Sequence, residues 1–190
     1  MPPTFPIDYD AMRRAIVRAI QAATGLEQNG VIMEQPESPG IPRPPRPFIS
    51  FGFLVPAART GGDSIDGNVG GLWNLGGQRT ITLSINSYGR SHEEAYGYLS
   101  LLAARLDGDP AVYGILQAAG MAVFLPGQIQ DLSAIVGVDY EGRAQMDCTL
   151  GVASNILIDQ GSITSAPVAG AVDSGAADSA PLALTVTLSQ

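Results

Sequence analysis

The chain contains no lysine. All ten of its basic residues are arginine, set against 18 acidic residues for a formal net charge of -8. Without lysine, a phosphate-loop lysine and Schiff-base chemistry are excluded. The acidic excess opposes a surface that grips a phosphate backbone, because such binding needs clustered cations. The single cysteine, Cys148, cannot close an internal disulfide, and a reducing cytoplasm suits it. The single histidine, His92, excludes any site with two histidine ligands and leaves one candidate general base. No apolar run approaches the roughly eighteen residues of a membrane span, and the N-terminus lacks the basic and apolar regions of a signal peptide. The expectation is a soluble chain made in the cytoplasm, with no membrane partner. Its 190 residues fit one domain with appendages.

What is present centres on Gln78 to Leu106. Ile81, Leu83 and Ile85 alternate with Thr80, Thr82, Ser84 and Asn86, which reads as a half-buried strand. Ser91 and Glu94 then form a capping box, and Ala95, Tyr98, Leu99, Leu102 and Leu106 recur at helical spacing. The helix predicted there lies back on the strand's apolar face. Upstream, Asp8 caps a helix bearing Met12, Ile16, Ala19, Ile20 and Ala23 on one face, with an Asp10–Arg14 pair and a stop at Gly25. Arg13, Arg14 and Arg18 make its outer side basic, as a solvated face or a partner contact. Val31 to Met33 fits a short strand. Prolines at 36, 39, 42, 44, 45 and 47 stiffen the connector to a second alternating strand, Phe48 to Val55, expected to pair with Arg79 to Tyr88.

Pro56 to Gly77 holds seven glycines and reads as a hairpin loop far longer than a turn requires. Leu72, Trp73 and Leu75 near its end are apolar groups that a solvated loop has no reason to carry. Two readings stand for them: they anchor a partner, or they fold back on their own domain. Further on, Asp109 and Pro110 start a new helix running to Gly120, Met121 to Leu125 is a short strand, and Gln128 to Val138 fits either period. In Ala144 to Ala153, Met146, Cys148, Leu150 and Val152 alternate with polar residues, giving another strand. Residues 1–158 thus read as a single α+β domain. Residues 159–181, with no aromatic and no basic residue, are expected to behave as a flexible linker. The terminal stretch 182–190 is a strand that could add to its own sheet or to a neighbouring subunit's.

Convergent polar groups are few. No serine sits in a Gly-x-Ser-x-Gly elbow, His92 reads most simply as a solvated first-turn residue, and Cys148 falls on an apolar strand face. Asp63 to Asn68 lacks the spacing and terminal glutamate of a calcium loop. No catalytic residue, metal site or cofactor is therefore assigned. Glu141, Arg143 and Asp147 gather at a strand start, where an ion pair is usually structural.

The run Tyr140, Glu141, Gly142, Arg143, Ala144, Gln145, Met146, Asp147 resembles the aromatic-Glu-x-Arg-Ala-x-x-Asp signature of the neck and tail terminator proteins of tailed bacteriophages. The early helix ending in Thr24–Gly25, the Pro-rich approach to Phe48–Leu54, the strand-helix unit from Thr80 and the run Gln130, Asp131, Leu132 match in order, over roughly residues 8 to 155. Tyr140 and Gly142 depart from the bulkier aromatic and the proline usual in that signature, and the glycine-rich stretch and the tail are longer than typical.

This resemblance implies an α/β (α+β) fold, with a mixed, mainly antiparallel sheet flanked by helices. It implies a structural, non-enzymatic subunit of a homohexameric ring at the head-tail junction of the virion. Such a ring stops polymerisation of the tail tube protein and receives the head-side connector, while DNA passes without specific binding. The negative net charge would suit such a channel. Leu72, Trp73 and Leu75 are the expected interface residues, with Glu141 and Arg143 as a structural or inter-subunit pair. The alternatives are another tail component, from the tube or baseplate, and a small hydrolase built on His92.

Overall fold

The computed structural model describes residues 7–34, 43–69, 72–136, 139–158, 165–171 and 181–187. It divides into two compact units, Met1–Ile65 with Leu75–Ile156, and Asp66–Asn74 with Leu157–Gln190.

Helix α1 (Tyr9–Thr24) is fixed at both ends by its own sequence. The Ala11 amide donates to Asp8 Oδ1 at 2.9 Å, and Gly25 takes φ 72°, where its N–H reaches the Gln21 carbonyl at 2.8 Å. Asp10 pairs with Arg13 at 3.1 Å, one residue short of the Arg14 partner expected from spacing. In α2 (His92–Gly108) the Glu94 amide donates to Ser91 Oγ at 3.2 Å. The Glu94 carboxylate reaches back one residue further than a standard box, accepting from the Arg90 amide at 2.6 Å. Helix α3 (Pro110–Gln117) is capped by Asp109, with Pro110 in its first turn.

The strands of the main sheet are β1 (Val31–Met33), β2 (Phe48–Val69), β3 (Leu72–Gly89), β4 (Met121–Asp131), β5 (Ala134–Val136) and β6 (Asp139–Ile158). Their order is β1-β2-β3-β6-β4, with β5 on β6 beside β4. β1 runs parallel to β2, while β4 and β5 run antiparallel to β6. Gln145 bonds Ser84 and Arg143 bonds Asn86, a register in which β6 also runs antiparallel to β3. The fold is thus α+β, an open and mainly antiparallel sheet flanked by three helices.

The helices and the sheet share one core. Ile49 and Phe51 of β2, Ile81, Leu83 and Ile85 of β3, and Ala144, Met146, Cys148, Leu150 and Val152 of β6 point to one side. Against them lie Met12, Ile16, Ala19 and Ile20 of α1, Ala95, Leu99, Leu102 and Leu106 of α2, and Val112 and Leu116 of α3. The opposite face is polar yet partly covered: Ser50, Ser84 and Asn86 are buried there beside Phe48 and Tyr88.

Within the glycine-rich stretch, residues 56–69 and 72–77 are strand where a long hairpin loop was expected, since β2 continues to Val69 and β3 starts at Leu72. Cross-strand pairs account for this. Thr60 and Thr80 share a hydroxyl bond, and Arg79 grips Asp63 with two bonds of 2.7 and 3.1 Å. Gly77 permits that grip, because a Cβ there would collide with the Asp63 carboxylate.

In the smaller unit, β7 (Ser165–Ala171) and β8 (Pro181–Thr187) pair antiparallel from Ser165↔Thr187 to Ala171↔Pro181. β7 lies inside the stretch expected to be a flexible linker; the alternating tail supplies the partner strand that its composition lacks alone. The connector prolines 36, 39 and 42 fall outside the described residues.

Leu102 is fully buried, whereas its neighbour Leu101 is 40 % exposed. Leu102→Ala is expected to lower unfolding stability by about 2–5 kcal/mol, and Leu101→Ala by no more than about 0.5 kcal/mol, in denaturant titration. Equal losses would contradict the packing described.

Candidate assembly interface

β6 enters the sheet at Tyr140–Arg143, and the sequence there serves two jobs. Gly142 lies against the start of α2 so closely that a Cβ would be driven into the Ser91 carbonyl oxygen. This accounts for the glycine at position 142 of this chain. On the polar face, Glu141 is buried and binds Arg46 directly, with Arg43 at 3.7 Å. Arg143 turns the other way: its Nη2 donates to Asn86 Oδ1 at 2.9 Å, and its guanidinium sits 5.4 Å from the Tyr88 ring centre. Within the subunit, then, Glu141 and Arg143 have different partners. Successive same-face positions on a strand are about 7 Å apart, and each finds a nearer partner across the sheet or on the connector.

Tyr88 is the hub of this cluster. Phe48 stacks on it at 4.5 Å, Arg43 lies 5.5 Å from its ring centre, and Arg90 Nη2 reaches the Arg46 carbonyl at 3.5 Å. No local pattern marks Arg43, Arg46, Phe48 and Tyr88 as one site, since Arg46 meets Glu141 across 95 positions.

Leu72, Trp73 and Leu75 are each half-buried in β3. They lie on a strand, and neither the partner-anchor nor the fold-back reading is decided by that position.

The other chemical candidates are occupied or inert. His92 Nδ1 stands 3.1 Å from Asp131 Oδ2 on the surface, and bonds from Ser133 hold the Asp131 carboxyl below the usual carboxylate range, with a smaller contribution from His92. Ser133 Oγ is engaged with both the amide and the carbonyl of Arg143, so it is no free nucleophile beside that pair. Burial pushes the Cys148 thiol up to about 12, which keeps it protonated and unreactive near neutrality. Among the described residues, no group of three or more His, Cys, Asp or Glu is placed to hold a metal ion. No described helix is long and apolar enough to cross a membrane.

Residues 10–174 match the family model described as phage neck terminator protein. The chain belongs to that family. No curated protein matches it. Membership of the phage neck terminator family makes the chain a structural component of the virion neck, which interacts with other head or tail components. The family is not a known enzyme class.

Two outcomes test the geometry. Gly142→Ala is expected to cost about 1–3 kcal/mol because the Ser91 backbone must move, whereas Gly97→Ala, in open space on α2, should gain about 0.5–1 kcal/mol. Unfolding titrations of both variants check this, and a neutral Gly142→Ala would refute the close approach.

The Asp63 carboxyl is held below the ordinary aspartate value of 3.8 by its hydrogen bonds from Arg79, with Arg59 adding a smaller charge effect. A depressed carboxylate pKa means that the pair stabilises the ladder above that ordinary value, and that the contribution fades as pH falls through the folded pKa. A carboxyl NMR titration should give an Asp63 midpoint below 3.8 that Arg79→Ala moves upward; an unmoved midpoint would rule out Arg79 as the cause.

Proposed function

We propose that this chain is the repeating subunit of a sixfold ring that closes the head-proximal end of the tail tube. The ring stops addition of tail tube protein, presents the surface that the head-side connector joins, and leaves a channel through which DNA passes. The observation that carries this reading is the family match across residues 10–174, which takes in the sheet, all three helices and the long ladder. Residues 1–158 act as the body of the subunit and 159–190 as its appendage.

The physical features support a ring subunit. A closed ring needs two different surfaces per copy, one for each neighbour. The β2–β3 ladder offers one such element, with Leu54, Val55 and Ile65 exposed along β2. Leu72, Trp73 and Leu75 contribute to a contact at the ring or tube interface. Glu141 and Arg143 act from within, by fixing the Arg43–Arg46 connector and Tyr88.

Tail length in virions assembled without this protein tests the assignment. Tails of uncontrolled, extended length are the expected result, because nothing then stops the tube. Normal-length tails that fail to join heads would reassign the chain to joining alone. Virions without any tube would point to a tube or baseplate component.

A further inference from the structure

The chain's ten arginines are unevenly placed. Three of them, Arg43, Arg46 and Arg143, gather around Tyr88 and the Glu141 carboxylate, and a fourth, Arg90, adjoins them through the Arg46 carbonyl. Among the described residues, the acidic groups bonded within this cluster are Glu141 and, at the start of α2, Glu94, which accepts from the Arg90 amide. That leaves sixteen carboxylates against six guanidiniums over the rest of the chain. The cluster is net positive, while the rest of the chain, even with the basic outer side of α1, carries a large acidic excess.

The cluster also has donors to spare. Arg143 Nε is buried without a hydrogen-bond partner. Arg43 is 68 % exposed at its side chain and, among the described residues, its ion pair with Glu141 spans 3.7 Å, which leaves its fork room for further bonds. Guanidinium forks match carboxylate geometry two bonds at a time, and the Tyr88 ring holds Arg43 and Arg143 in place.

We propose that this arginine cluster on the polar sheet face is an inter-subunit socket that receives carboxylates from a second copy of the chain. The inference rests on the ring reading and adds to it the chemistry of the contact. A net-positive cluster on a chain whose remaining residues are mostly acidic in balance favours docking on a different, acidic part of the next copy, the arrangement that closes a ring, and opposes two sockets meeting face to face. A DNA backbone is the poorer occupant. It would bring a row of phosphates against the surrounding negative charge, while the cluster could neutralise only one or two of them.

The test is the sedimentation of full-length wild type against Arg43→Glu/Arg90→Glu, with tail tubes added where the wild type forms rings only on them. The expected result is at least a tenfold higher concentration for ring formation in the double variant, with an unchanged unfolding midpoint. Should the charge reversal disturb folding, Arg43→Gln/Arg90→Gln serves in its place, with the same expectation and a smaller shift. Rings that form at the wild-type concentration overturn the socket while leaving the ring reading intact. A wild type that forms no ring with or without tubes overturns both. Fluorescence anisotropy with a labelled DNA duplex at physiological salt supplies the third arm: binding by wild type that the double variant loses would assign the cluster to phosphate and overturn the carboxylate proposal.

Discussion

β6 must satisfy two environments at once, and the rest of the molecule is arranged around how it does so. One side of the strand, from Ala144 to Val152, is buried under the helices. The other carries Glu141, Arg143 and Gln145, polar groups on a sheet face where neighbouring positions are also buried. A buried carboxylate is costly unless a counter-charge accompanies it. Arg46 supplies that charge for Glu141, and in doing so ties the proline-rich connector to the sheet. Arg143 is held instead by neutral groups of the neighbouring strand, the Asn86 amide oxygen that accepts its hydrogen bond and the Tyr88 ring. The start of α2, pressed against Gly142, then fixes the helix layer relative to the strand.

Much of this was legible in the residues. The caps at Asp8, Ser91 and Asp109 and the stop at Gly25 depend on local chemistry, and each appears where the sequence places it. The alternation in Phe48–Val55, Arg79–Tyr88 and Ala144–Ala153 likewise marked both the strands and their buried sides. The glycine-rich stretch was harder, because its order comes from cross-strand pairs such as Asp63–Arg79, and glycine content alone suggests a loop. β7 depends in the same way on β8. The partners of Glu141 were out of reach for a related reason: the signature showed an acid and an arginine two positions apart, while their real partners are distant in the chain.

Charge distribution connects the fold to assembly. A chain of net charge -8 resists association with its own copies at long range, and any contact between copies must overcome that repulsion locally. Concentrating four of ten arginines at and beside the Tyr88 cluster provides one place where it can. Neck membership follows from the family; the ring, its contacts and its channel form one physical account of how such a subunit works.

The most direct test of that account is negative-stain imaging of the purified protein alone and mixed with tail tubes. The account predicts rings of one size, roughly 118 kDa for six copies of a 19.7 kDa chain, seated on one end of each tube. Monomers that leave both tube ends bare would contradict it.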